Sequence, residues 1–550
     1  MSLKQTIKNE IINGVKKLQN EGFFDAEFNV DDLVINLTEP NVPEKANPNN
    51  ILFDYSTNAP FLLKNYKKVA PIVIAEKLKE ILIDSEYIKD IMCSMPGFIN
   101  IVLSYLSFIK VIDEVNRKQD KYGANVVKPE QINLEYISAN PTGFLHVGHV
   151  RGACFGDALA KIYKHAGHNL ETEYYVNDAG NQINVLADSA HVRYLELFGV
   201  EATMPEDCYR GNDIVWAAQK IKDLYDDKFI DLSIYGLREE FKEAAVKVLL
   251  FKIKHDLSRL NISLDRYSSE KDIYNNNLIE PVLEKLKPHT YVKDGALWLN
   301  TTEFGDDKDR VLVKNDGSST YLLPDIAYHE QKFSRAKKLI NIWGADHSGY
   351  IARMKIAMQC LGHNPNDLDV LTIQLVRLIK DGQEFKMSKR AGTSVTLEDL
   401  LEVASPDAIR FTLLTREINS KFDFDIDLAN STDSNNPVFI VQYAHSRTVS
   451  LINRLKEAKK GEFELTAKAK KVVVMLDEFT ELIQTIVSTN KVNLMSQYLI
   501  NLAKAFNSFY SETKLIGHDN ESEYAYLVKA VQIVLQLGLK LIGVSAPESM

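Results

Sequence analysis

Apolar residues recur at helical spacing from the first turn of the chain. Leu3, Ile7, Ile11, Val15 and Leu18 fall on one face with lysines between them. That pattern predicts an amphipathic helix and not the continuous apolar run of a signal peptide. After a loop "EPNVPEKANPNN", the stretch "IAEKLKEIL" reads as another helix and "GFINIVLS" alternates like a strand, so residues 1–115 are expected to form a small α+β unit. The period then changes. "QINLEYIS" sets Ile132, Leu134 and Tyr136 two apart, and "VRGACFGDALAKIYKHAG" returns to helical spacing, with a start near Val150 and Gly167 as its stop. "NLETEYYVND" and "KKLINIWGAD" read as further strands and "SGYIARMKIAMQCLG" as a helix. Strands alternating with helices over 120–400 predict a parallel sheet with helices on both faces. About 185–300 is helix-rich and charge-mixed. It is read as a helical insertion, and no chemistry is read in it. A connecting segment covers 400–430, and long periodic helices over 430–550 predict an all-α bundle.

Composition adds limits. A chain of 550 residues, 45% hydrophobic and 25% charged, is globular and long enough for several domains. Cys93, Cys154, Cys208 and Cys360 are scattered with no C-x-x-C pair, which argues against a zinc ribbon or a disulfide framework and fits a reducing cytosol. The apolar stretch "AVQIVLQLGLKLIGVSA" is interrupted by Gln532, Gln536 and Lys540 and reads as a buried helix, not a membrane span. The formal net charge of −10 argues only mildly against nucleic acid, because local patches decide that binding. The lysines at 456, 459, 460, 468, 470 and 471 could form such a patch or simply a solvated face.

Candidate chemistry concentrates where the first strand of the long segment gives way to a helix, in "SANPTGFLHVGHVRGACFGD". Ligands of open parallel sheets sit beyond the carboxyl ends of strands, and a helix start suits phosphate. His146 and His149 flank that turn, and Gly148 between them leaves the backbone open to close approach. A metal site would need a different spacing and a third ligand; two structural histidines are the other alternative. A second motif, "FKMSKRAGT", places Lys386, Met387, Ser388, Lys389 and Arg390 before "TLEDLLEVA". By itself it reads as a basic surface loop; beside the histidines it reads as a cationic lid over phosphates.

"HVGH" and "KMSK", in this order on an α/β pattern, together resemble the two signatures of class I aminoacyl-tRNA synthetases. Within that class, "EYISANPTGFLHVGHVRGACFGD", "YYVNDAGNQI", "YLLPDIAYH", "DAIRFTLLTRE", "NPVFIVQYAHSR" and the ending "GVSAPESM" resemble arginyl-tRNA synthetases. The resemblance covers nearly the whole chain and is weakest over 185–300. It implies a Rossmann-type catalytic domain, an added α+β N-terminal domain that contacts tRNA, and a helical anticodon-binding domain named for a D-A-L-R run that here reads Asp407, Ala408, Ile409, Arg410. It also implies that the enzyme activates L-arginine with ATP and transfers it to the terminal adenosine of tRNA(Arg). Gly143 and Lys389 fit the members with the lid lysine in its usual place, whereas "SANPTG" departs from the S-P-N order of part of the family.

The resemblance also implies the site residues. His146, Gly148, His149, Lys386, Met387, Ser388 and Lys389 are expected at ATP, with both histidines and both lysines catalytic. Glu135, Ser138, Asn140, Tyr321 and Asp325 are expected at arginine, with Asp346 and His347 as weaker candidates. A guanidinium offers five donors in a plane and is always charged, so carboxylates and a tyrosine suit it. Asp325 has a second reading as the N-cap of "IAYHEQKF". Tyr443, His445 and Arg447 are expected to face tRNA or, alternatively, to be packing and surface residues. Mg²⁺ is expected with ATP from the chemistry alone, since no protein ligand set is evident. The expected setting is cytoplasmic, off the membrane and monomeric.

Overall fold

The computed structural model describes residues 2–38, 40, 42, 51–385 and 395–550. Its centre is a five-stranded sheet, all parallel, whose strands lie in the spatial order Leu368–Ile373, Lys338–Gly344, Gln131–Glu135, Asn169–Val176, Arg266–Ser269. Counted along the chain, that order is 5-4-1-2-3. The direction of winding reverses between the first strand and the fourth, which is the switch point where such sheets hold ligands. Glu135 and Asn341 are register partners across that gap.

The first strand ends at Glu135, and the backbone then passes through positive φ at Ile137 (73°) and Ser138 (40°). Left-handed conformation is costly at a β-branched residue. The long helix Val147–Ala166 follows, with His146 as its N-cap and Gly167 (φ 114°) closing it. The helix thus starts a turn earlier than the apolar periodicity indicates, because the histidine side chain supplies the cap. This helix lies close on the sheet. A Cβ on Gly156 would stand 2.3 Å from Tyr136 Cγ, so only glycine permits the packing.

The stretch read as a helical insertion is more varied. Helices Asn181–Glu196, Asn212–Tyr225 and Leu237–Arg259 pack around their own apolar core. Arg266–Ser269 then returns as the third strand of the central sheet, at its edge, and Thr290–Lys293, Ala296–Leu299 and Arg310–Val313 form a small antiparallel sheet. The polar "RYSS" of that third strand carries no alternation to reveal it.

The N-terminal unit packs its helices Leu3–Asn20 and Pro71–Leu82 on a four-stranded antiparallel sheet. The C-terminal bundle consists of Pro437–Ile452, Ala467–Thr489, Asn493–Glu512 and Glu521–Leu541. Glu521–Leu541 is long and apolar enough to cross a membrane, yet it packs against Pro437–Ile452, Asn493–Glu512 and the N-terminal helix Tyr105–Lys118. One apolar core runs through both end units and the central sheet. Of the six clustered lysines, Lys456, Lys460, Lys468 and Lys470 pair with Glu521, Asp113, Glu512 and Asp54, which favours an ion-paired face over a free cationic patch.

Asp477 joins the N-terminal helix to the bundle by accepting from Leu3 N at 2.8 Å. Burial, opposed by that bond, pushes its carboxyl up to about 7 from 3.8. Between roughly pH 4 and 7 the unfolded chain therefore sheds a proton that the folded chain keeps, and the folded state loses stability as pH rises through that window. Asp477→Asn keeps the acceptor and removes the titration. Its Tm should fall less than that of the parent across this range in calorimetry, whereas parallel Tm-against-pH curves would rule the assignment out.

Candidate active site

The two histidines form one unit at the helix start. His146 Nδ1 accepts from Gly148 N (3.2 Å), His149 Nδ1 accepts from His146 N (3.4 Å), and the rings stack with centroids 3.6 Å apart. A Cβ on Gly148 would stand 3.1 Å from His146 Cε1, so the glycine makes room for the ring to fold back over the turn. Burial lowers the pKa of His146, and burial together with its neighbour lowers that of His149 to about 3. Both rings are therefore neutral at ordinary pH. With each Nδ1 accepting, the ring proton resides on Nε2, and both histidines are donors at that atom.

The second motif, Lys386, Met387, Ser388 and Lys389, lies outside the described residues. Its described flanks meet the histidine turn. Val147 N donates to Val395 O (3.0 Å) and Leu397 N to Leu145 O (2.8 Å), around a His146–Thr396 bridge. The fold thus ties the histidine turn to the chain just beyond a segment more than two hundred residues downstream.

A second cluster occupies the switch point. Glu135 is buried, with Oε2 2.6 Å from Lys332 Nζ and Oε1 accepting from Ser138 Oγ (3.0 Å), which in turn accepts from Tyr175 N. Lys332 is fully buried and donates also to Asn341 Oδ1 (2.7 Å). Asn341 meets His329 Nε2 (2.8 Å), and His329 Nδ1 meets the Asp325 carbonyl (2.7 Å). Asp325 Oδ2 accepts from Tyr350 OH at 2.8 Å. Burial first, then the negative neighbours Glu135 and Glu270, push Asp325 up to about 7, against the pull of Tyr350 and Lys332. Burial and Asp178 raise the carboxyl of Glu270 as well. Tyr175 and Tyr328, with ring centroids 4.5 Å apart, line the same region. Three carboxyl groups with one internal lysine make a buried cluster whose charge a cation would relieve.

Several sequence expectations change here. The helix with Asp325 starts at Leu322 with Tyr321 as its N-cap, so Asp325 sits in the first turn and caps nothing. Tyr321 is 81% exposed, and the hydroxyl that reaches Asp325 is that of Tyr350. Asn140 stands at the rim, bonded to Gln182 (2.8 Å). His347 is exposed in a short turn after the fourth strand, and the side chain of Asp346 lies outside the described residues. Tyr350 and Glu270 were missed. Tyr350 stands three residues beyond the "ADH" already singled out, and Glu270 directly follows the unrecognised third strand, where the strand-end rule would have found it.

In the bundle, Tyr443 and Arg447 share one face of Pro437–Ile452. The Arg447 guanidinium lies over the Tyr443 ring (4.6 Å to its centroid) and bonds Tyr443 OH and Asn507. His445, two residues on, points the other way. It is 1% exposed and meets the Pro547 carbonyl at 2.9 Å, which fits the packing alternative of its two expected readings and not the tRNA-facing one.

Three family models match the chain: tRNA synthetases class I (R), catalytic domain, over 111–423; DALR anticodon binding domain over 441–550; and Arginyl tRNA synthetase N terminal domain over 3–103. An arginine–tRNA ligase of Listeria welshimeri is 43% identical over 512 residues, covering 90% of this chain and 92% of its own. One from Mesomycoplasma hyopneumoniae is 42% identical over 502 residues, covering 90% and 93%. The solved Thermus thermophilus arginyl-tRNA synthetase aligns over the full length of both chains with a TM-score of 0.73 at 21% identity, a likeness of fold.

Proposed function

The chain belongs to the class I arginyl-tRNA synthetases and is an ATP-dependent arginine–tRNA ligase, and from that premise we propose how its residues divide the work. The observation that carries the proposal is the acidic cluster at the switch point, at the end of the strand that leads on to the helix start with two neutral histidine donors. Asp325, Glu270 and Tyr350 take the guanidinium of arginine. Glu135, held by Lys332 and Ser138, takes its α-ammonium. The substrate carboxylate is thereby directed toward the histidine turn. One carboxylate oxygen attacks the α-phosphorus of ATP, the bond to the bridging oxygen breaks, and pyrophosphate leaves. His146 and His149 donate from Nε2 to phosphate oxygens, and Lys386 and Lys389 meet the charge growing on the leaving pyrophosphate. This is positioning with electrostatic stabilisation, not covalent work by the protein. The tRNA terminal hydroxyl then attacks the acyl carbon of the adenylate and AMP leaves. Mg²⁺ would come with the ATP phosphates and offset part of their charge. The N-terminal unit and the bundle contact tRNA(Arg). The working form is a cytoplasmic monomer.

Pyrophosphate exchange with each amino acid in turn, with and without tRNA, tests the assignment. Exchange with arginine alone among them is expected, and exchange with another amino acid would replace it. On the bundle, Arg447→Ala should raise the tRNA KM several-fold with arginine KM unmoved, because it removes a half-buried cation stacked on Tyr443. His445→Ala should instead lower Tm, since it strips the C-terminal tail of a buried partner. Filter-binding and melting curves separate the two, and an unchanged tRNA KM for Arg447→Ala would take that face out of the tRNA path.

A further inference from the structure

Arg151, two residues past His149, is buried (1% exposed) in the second turn of the histidine helix, and it pairs with no carboxylate among the described residues. All three of its hydrogen bonds go to backbone carbonyls: Nη1 to Gln374 (3.1 Å) and Ser420 (2.7 Å), and Nη2 to Glu417 (2.8 Å). Its Nε is buried without a partner among the described residues, and its guanidinium stands 5.3 Å from the Phe422 ring centroid. Burying a guanidinium with no counter-ion is expensive, so the site demands a reason for arginine there.

The three carbonyls supply it. Gln374 lies between the edge strand of the central sheet, Leu368–Ile373, and the strand Val376–Lys380. Glu417 and Ser420 precede Phe422–Asp425, which pairs in parallel with Val376–Lys380. Val376–Lys380 also pairs with Gln383–Glu384 in the hairpin that leads toward the second motif. From the helix that carries the histidines, Arg151 therefore grips the chain just before Val376–Lys380, the first strand of that hairpin, and just before its parallel neighbour Phe422–Asp425. A planar fork can bond three carbonyls on two segments at once; a lysine ammonium on a flexible stem cannot hold the same three.

We propose that Arg151 is a positioning residue for the nucleotide step, fixing the histidine turn against the base of the Val376–Glu384 hairpin through its fork and not through its charge. The proposal rests on the reading of His146 and His149 as phosphate donors. The test is pyrophosphate exchange with tRNA present, on full-length Arg151→Lys, Arg151→Met and His149→Ala, each normalised to titrated active sites and accompanied by a melting curve. Arg151→Met removes an uncompensated buried charge and fills the stem volume, so it should fold. Both Arg151 variants are expected to lose about tenfold or more in kcat/KM for ATP, with arginine KM within about twofold. An Arg151→Lys enzyme as active as the parent would overturn the proposal in favour of charge. Full per-site activity in both variants, whatever their Tm, would overturn it in favour of packing alone. An intact His149→Ala would instead overturn the phosphate-donor reading, and a deficient His149→Ala beside intact Arg151 variants would confine the failure to Arg151.

Discussion

Asp325→Asn is expected to lower kcat/KM for arginine by about 2–5 kcal/mol, or roughly thirty-fold to several thousand-fold, because a buried guanidinium would lose its charged partner. Much of the loss should appear in KM, since the guanidinium is remote from the reacting carboxylate. Some should appear in kcat, because remote contacts also orient the reacting end. The pH dependence sharpens the test. Asp325 is pushed up to about 7 by burial and by Glu135 and Glu270. Below that pH the free enzyme must give up a proton before the carboxylate can take arginine, so arginine KM should fall as pH rises through about 7 and level off above it. The variant should lack that slope. His149 adds nothing in the same range, being neutral down to about pH 3. Steady-state kinetics at several pH values decide it. An unchanged KM would remove Asp325 from the pocket, and an unchanged slope in the variant would assign the ionisation to Glu270.

The parts of this site that sequence revealed and the parts it hid differ for physical reasons. Strands buried on one or both faces announce themselves by apolar period, which is how Gln131–Glu135, Asn169–Val176 and Lys338–Gly344 could be read. The short polar strand Arg266–Ser269 could not, and Glu270 was lost with it. His146 and His149 were visible because a glycine and a strand–helix transition framed them. Their neutral, Nδ1-accepting state was not, because it depends on which backbone N–H each ring meets. Tyr321 and Asp325 stand four apart in sequence, yet the tyrosine that meets Asp325 comes from the next helix, a tertiary choice that spacing cannot encode. Arg410 shows the same limit. The D-A-I-R run was read as a family label, but its arginine is fully buried, bonding the carbonyls of Leu260 and Ile542 and pairing with Asp157 of the histidine helix. Asp407 meanwhile accepts from Ser545 N at 3.0 Å, so the run fastens the chain's C-terminal tail beside the catalytic helix.

Lys389→Ala should lower kcat by on the order of 10²–10³ while arginine KM stays within a few-fold, the pattern of a contact made in the transition state and absent from the ground state. As the bond to pyrophosphate lengthens, negative charge moves onto the leaving phosphates, and a cation placed there gains more from the transition state than from bound ATP. Lys389 lies outside the described residues, but Val395 and Leu397, a few residues on, are hydrogen-bonded to Val147 and Leu145. The chain just beyond the motif is thereby fastened to the histidine turn. If Lys389 and His149 act on one developing charge, the double variant Lys389→Ala/His149→Ala should lose less than the product of the two single losses. Single-turnover formation of arginyl-adenylate measures this without interference from product release. A fully multiplicative loss would mean that the two motifs stabilise separate charges, and an unaltered kcat in Lys389→Ala would leave the phosphates to the neutral histidines and Lys386.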